Sequence, residues 1–259
     1  MHEGKKRRLD RVFGADGKIL VVAMDHAAYM PDAVIGLENP GAIIAKTMPA
    51  GADALLTTLG TLRKAGPEIG TSAVIMSVES FPQDIEEVVL QALRYDVDMI
   101  KVMVYPFDDT DPNNIWKFQK LATMADKWNL PIMAEVFPGG YPAKSEYLNF
   151  NKLSAALRVT AEAGADVIKT FFIEEDGYPK GYREIVENTQ IPIVVLGGEK
   201  SDDPRPLLEK VKRSIDSGAR GVAIGRNIWG HPRPDLITSA VAEIIHHNSS
   251  VETALGILK

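Results

Sequence analysis

Cysteine is absent from the 259 residues of this chain, which excludes disulfide frameworks, thiolate catalysis and Cys-ligated zinc or iron–sulfur centres. No apolar run approaches the ~18–20 residues needed to cross a bilayer. The run Ile19 to Met24, which follows the basic opening Lys5-Lys6-Arg7-Arg8, is too short for a signal-peptide core and is closed by Asp25-His26. Basic charge is in deficit, 29 Lys and Arg against 35 Asp and Glu, for a net charge of −6. That balance gives no electrostatic case for nucleic acid or an anionic membrane as partner. Histidine is scarce: His2, His26, His231, His246 and His247 do not form a plausible zinc site. The pair His246-His247 reads as a surface feature near the end of the last helix, where cations suit the dipole. These absences leave a cytoplasmic globular protein, opening on a short, solvated polar segment over about residues 1–15.

Short β-branched, apolar runs recur along the whole length: 18–24, 53–57, 72–77, 99–105, 131–136, 166–171, 193–196 and 221–224. Their seven intervals average roughly 29 residues, enough for a strand, a helix and two loops. Strands apolar on both faces need cover on both, as in parallel sheets. The intervening segments carry helix signals. Asp84-Ile85-Glu86-Glu87 puts acids in a first turn, residues 113–128 are amphipathic, and residues 204–217 place Leu207, Leu208, Val211 and Ile215 on one face. Gly51, Gly164 and Gly218 fall where a helix end must turn into the next strand. An open doubly wound sheet would carry a Gly-x-Gly-x-x-Gly turn after its first strand; Asp25-His26-Ala27-Ala28 stands there instead. The expected architecture is a single (β/α)8 barrel, with no second domain.

Chemistry in such a barrel sits at the carboxyl ends of the strands. Strand 1 ends in Asp25-His26, strand 3 in Ser77 and Glu79, and strand 4 carries Lys101 with Tyr105 beyond it. Strand 5 carries Glu135 and strand 6 Lys169; glycine turns Gly197-Gly198 and Gly225-Arg226 follow strands 7 and 8. Lys169 lies inside a strand pattern, where an ammonium ion is costly unless paired. It reads either as a lysine reaching to water or held in a structural ion pair, or as an amine nucleophile that forms a Schiff base with a carbonyl. Lys101 is the nearby cation that would favour the free amine. Gly197, Gly198, Gly225 and Arg226 occupy the usual phosphate position of a barrel, although turn glycines and a surface arginine would read the same way. Asp25 and Glu135 are candidate proton carriers or plain counter-ions of the lysines, and His26 a ligand, an acid–base group or an orienting neighbour. Tyr105 and Tyr141 stand on the far side of the mouth.

The segments Gly164-Ala165-Asp166-Val167-Ile168-Lys169-Thr170, Val195-Leu196-Gly197-Gly198 and Gly221-Val222-Ala223-Ile224-Gly225-Arg226-Asn227-Ile228-Trp229 resemble the class I, archaeal-type fructose-bisphosphate aldolase family, and Val22-Ala23-Met24-Asp25-His26 matches its first-strand motif. That group is allied to deoxyribose-phosphate aldolase and includes aminodideoxyheptulosonate synthases and the autoinducer-2 phosphate thiolase. The resemblance covers residues 15–235. It implies Lys169 as the Schiff-base lysine, Asp25 as a substrate-binding and proton-handling acid, and the glycine turns as the phosphate site. It also implies a homo-oligomer, since members commonly form rings of ten subunits. Ala27 stands where the aldolases usually have glycine, and Phe137 where many carry a proton-transferring tyrosine. Glu135 and the strand 99–105 are instead similar to tagatose-bisphosphate and sulfofructose-phosphate aldolases, whose strand-5 glutamate does acid–base work. The resulting expectation is a cofactor-free, metal-independent lyase that cleaves a phosphorylated ketose to dihydroxyacetone phosphate and an aldehyde. A related phosphosugar transferase or thiolase, and a phosphometabolite-binding barrel without turnover, are the other readings.

Overall fold

In the computed structural model, which describes residues 2–30, 35–79, 81–174 and 181–259, eight parallel strands close into one barrel in sequence order. They are β1 (Ile19–Ala23), β2 (Ala54–Thr57), β3 (Ala73–Ser77), β4 (Met99–Val104), β5 (Ile132–Val136), β6 (Val167–Thr170), β7 (Ile193–Leu196) and β8 (Gly221–Ile224). Closure is made by β8 on β1, with Ile19 beside Gly221 and Val22 beside Ile224. Helices separate the strands, among them Ile85–Arg94, capped by Asp84 through the N–H of Glu87, and Arg205–Asp216. Gly51, Gly164 and Gly218 take φ of 105°, 106° and 98°, the backbone that a Cβ disfavours at a helix-to-strand turn.

The strands bury both faces, and each face has its own core. Outward residues such as Leu20, Val22, Ile100, Val102, Ile132 and Ile168 pack under the helices. Inward residues, including Ile19, Val21, Leu56, Ile75, Met99, Met133 and Val167, fill the barrel itself. Because side chains alternate along a strand, β4, β5 and β6 stack their inward residues in three levels. Met99, Met133 and Val167 form the floor; Lys101, Glu135 and Lys169 lie above them; Met103, Phe137 and Phe171 follow toward the mouth. The register sets Glu135 beside Lys169 on β6 but staggers β4, pairing Lys101 with Met133 and Met103 with Glu135, so the Lys101 side chain reaches toward the mouth to meet Glu135 at 2.6 Å.

Two expectations need correction. The N-terminal segment is not a solvated tail but the helix Glu3–Val12, whose Val12 side chain, with Leu9 and Phe13, joins the inner barrel core. Lys5 is buried and paired with Asp126 at 2.8 Å and Asp166 at 2.9 Å, and Arg11 binds Asp98 at 2.6 Å. The helix therefore closes the barrel at the end remote from the strand carboxyl termini. His246, read as a surface residue near the end of the last helix, lies half-buried 3.1 Å from both Asp16 and Asp53, and its helix, Pro234–His247, is followed by another, Val251–Ile257. Among the described residues no helix is long and apolar enough to cross a membrane.

Candidate active site

At the carboxyl end of the strands lies a cavity of about 370 Å³, within the size range of small-molecule sites. Asp25, His26, Lys101, Glu135, Lys169, Gly197, Gly198, Gly225 and Arg226 all line it, as does Tyr141. Tyr105 does not. β4 ends at Val104, and the Tyr105 main-chain N–H is held by Asn114 at 2.7 Å as the chain turns away at Pro106. Glu79 and Ser77 are likewise outside the lining, but Ser77, beside Lys101 in the β3–β4 register, accepts from its Nζ at 3.3 Å.

The charged level of the barrel is almost dry: Lys101, Asp25, Lys169 and Glu135 are 1%, 3%, 4% and 7% exposed. The Glu135 carboxylate lies between two ammonium groups, with Oε1 2.6 Å from Lys169 Nζ and Oε2 2.6 Å from Lys101 Nζ. Lys101 also pairs with Asp25 at 2.9 Å. Lys101 therefore does not face Lys169 as a bare cation, the role expected for it; a carboxylate is interposed. Burial pushes both carboxyls up, but the charges of Lys101 and Lys169 outweigh it and leave Asp25 and Glu135 below the usual carboxylate range. Burial works against the Lys101 ammonium too, and Glu135 and Asp25 reverse that, raising it. Tyr29, which sequence reading passed over, adds its ring 5.0 Å from Lys101 Nζ and bonds Ser77 through its hydroxyl at 2.7 Å.

Across the cavity, β7 and β8 supply a turn that side chains could not enter. A Cβ on Gly225 would stand 2.3 Å from His26 Cε1 and 2.8 Å from the Ala23 carbonyl oxygen. Asn227 joins the two turns, donating to Glu199 O at 2.8 Å and accepting from the Ser201 N–H at 2.9 Å. Arg226 donates from Nη2 to Gly198 O at 3.1 Å, while its Nε is buried without a hydrogen-bond partner. His26 packs edge-on against Trp229 at 5.7 Å, and its buried Nδ1 lies 3.8 Å from Asp25 Oδ1 without a hydrogen-bond partner. Burial, followed by the Lys169 and Arg226 charges, lowers the His26 pKa against the pull of Asp25. Both side chains line the cavity on the side of the glycine turns.

Met103, Phe171 and Leu148 also line the cavity and were missed in the sequence. The first two were accessible in principle, because each stands two residues beyond a lysine already placed on the inner face. Leu148 had no such signal, since it arrives from the connection after β5.

Comparison with known families matches residues 19–231 to the DeoC/LacD family aldolase. The chain is 30% identical to the 2-amino-3,7-dideoxy-D-threo-hept-6-ulosonate synthase of Halobacterium salinarum, over 98% of this chain and 96% of that protein. It is also 30% identical to the 3-hydroxy-5-phosphonooxypentane-2,4-dione thiolase of Escherichia coli, over 97% of this chain and 85% of that protein. Among solved structures, an archaeal fructose 1,6-bisphosphate aldolase superposes with a TM-score of 0.79 at 22% identity, covering 94% of this chain and 99% of that one. A fructose-bisphosphate aldolase from Slackia heliotrinireducens does so with a TM-score of 0.81 at 16% identity, covering 98% and 89%. These two likenesses are of fold.

Proposed function

The chain belongs to the DeoC/LacD aldolase family, and from that premise we propose that it is a Schiff-base carbon–carbon lyase, reversibly cleaving a phosphorylated ketose to dihydroxyacetone phosphate and an aldehyde. The observation that carries the reading is the Lys169 amine, buried 2.6 Å from Glu135 in the same cavity as Gly197, Gly198, Gly225 and Arg226. An amine and an acid–base partner stand on one side, and an anion cradle on the other.

In this mechanism the substrate phosphate lies at the β7 and β8 turns, where the Arg226 guanidinium, which lines the cavity, makes a charge-assisted bond. That anchor presents the adjacent ketone to Lys169, whose ammonium proton passes to Glu135 as the free amine attacks. Glu135 returns that proton to the carbinolamine hydroxyl, which leaves as water and gives the iminium ion, with Glu135 ionised again. Asp25 or Glu135, both held ionised, takes the C4 hydroxyl proton; the C3–C4 bond breaks, its electron pair passes into the iminium, and the aldehyde leaves. Protonation of the enamine at C3 and hydrolysis by water return dihydroxyacetone phosphate and the lysine. Lys101 keeps the two carboxylates charged side by side.

Borohydride reduction in the presence of dihydroxyacetone phosphate is expected to leave a mass adduct on Lys169. Lys169→Met should lose the adduct and all turnover while retaining its circular dichroism. An adduct elsewhere, or retained turnover, would defeat the assignment. The near-full-length similarity to a synthase and a thiolase favours one second reading, a transfer reaction on a phosphosugar through the same lysine. Release of dihydroxyacetone phosphate from a phosphoketose without an added acceptor selects the aldolase; strict dependence on an acceptor selects the transferase.

A further inference from the structure

The mouth of the barrel is divided along the strand order. β7, β8 and β1 contribute the glycine turns, Arg226 and His26. β4, β5 and β6 place Met103, Phe137 and Phe171 two residues beyond Lys101, Glu135 and Lys169, so on the same inner face and one level nearer the opening. Phe137 stands at the centre of this side, its ring edge-to-face with Tyr141 at 5.0 Å and with Phe171 at 5.3 Å. Leu148 and Pro142 extend the apolar wall.

The cations lining the cavity, among the described residues, are Lys101, Lys169, His26 and Arg226. Lys101 is already bridged by two carboxylates. Lys169 is committed to the carbonyl. His26 is shifted toward its neutral form. Only Arg226 remains for an anion, and it sits at the glycine turns, on the opposite side from Phe137. On the β4–β6 side Glu135 adds a carboxylate, which repels a second phosphate. Among the described residues, a dianion taken from water to the β4–β6 side would find mainly rings and methyl groups and no unpaired cation lining the cavity.

We infer that the aldehyde half of the substrate is uncharged and ends in an apolar group seated against Met103, Phe137, Tyr141, Leu148 and Phe171, so that the substrate carries a single phosphate. This rests on the aldolase reading and adds its acceptor class. Every bond made and broken is as above, with the aldehyde released from C4 onward carrying no phosphoryl group. Phe137 acts here as a wall and takes no part in moving protons, which fits a side chain with nothing to donate.

The test runs the reaction in the synthetic direction, which leaves the stereochemical choice to the protein. The enzyme is given dihydroxyacetone phosphate with propanal, lactaldehyde, glyceraldehyde or glyceraldehyde 3-phosphate, and consumption is followed for each. The expected result is a kcat/KM for propanal or lactaldehyde about tenfold or more above that for glyceraldehyde 3-phosphate. Leu148→Arg, which puts a cation on the apolar side, should narrow that ratio by about tenfold. The inference is overturned if glyceraldehyde 3-phosphate is the better acceptor, if Leu148→Arg leaves the ratio unchanged, or if Lys169 is trapped by dihydroxyacetone phosphate yet no uncharged aldehyde reacts. If borohydride traps no adduct with dihydroxyacetone phosphate, the aldolase reading itself falls and this inference falls with it.

Discussion

At the scale of single residues, Lys101 is the side chain whose role changed most between sequence and structure. Read as a cation acting on Lys169, it instead holds Asp25 and Glu135 together at 2.9 and 2.6 Å. Two carboxylates flanking one ammonium can both stay ionised; without it, Lys169 alone opposes burial and both pKa values rise. The base of the retro-aldol step must be ionised, and its pKa lies below the ordinary carboxylate range. Removing the charge raises that pKa, so activity is lost at a higher pH as solutions are acidified. Lys101→Met is therefore expected to move the acid limb of the kcat/KM profile upward by about one pH unit or more. An unmoved acid limb in a folded variant would show that Lys101 does not govern the base. Lys169 and Glu135 were legible because a charged residue inside an apolar strand has few places to go. The Lys101 bridge was not, since it joins β1, β4 and β5 and no local spacing encodes it.

At the scale of elements, the alternation of strand and helix was legible throughout, and each strand ends within a residue of the position its apolar run indicates. The reason is physical: every strand is covered on both faces, so burial writes a continuous apolar signal. The N-terminal helix Glu3–Val12 writes almost none, because only Lys5 and Val12 are buried. Its attachment comes from a lysine whose partner Asp126 lies 121 positions away and from Asp166, neither visible in a local window. Burial raises the Asp166 carboxyl, and the Lys5 ammonium beside it is the principal compensation. Lys5→Ala strips that buried carboxylate of its counter-ion and is expected to cost on the order of 3 kcal/mol, read from guanidinium unfolding. Lys6→Ala serves as control: its pair with Asp10 is exposed, and its loss should change little. Equal losses from both would mean that the helix is held by its apolar residues alone.

At the scale of the whole molecule, a barrel must tie its first strands to the helices that follow its last strand, and here the tie is a titrating one. His246, at the end of Pro234–His247, reaches Asp53 and Asp16 at 3.1 Å, and Asp53 also accepts from the Leu20 N–H at 2.6 Å. Lys18 adds a bond to Ile245 O at 2.7 Å. The hydrogen bond to Asp53 raises the His246 pKa; burial opposes it and Asp16 reinforces it. A group whose pKa is higher folded than unfolded contributes stability that is fully present below its unfolded value, about 6.5, and is lost as pH rises through the folded value. The pairs are partly open to water, so screening trims the effect to a modest one. The melting temperature of the wild type relative to His246→Gln should accordingly be highest below about pH 6.5 and fall as pH rises above it, while the Asp16 titration, which the substitution also alters, is lowered and lies in the acid range. A difference that stays flat through that rise, or grows with pH, would show that the imidazolium does not fasten the closing helix to β1 and β2. The latch sits at the end of the barrel opposite Lys169, so the same substitution should leave borohydride trapping of the lysine unchanged at pH 7.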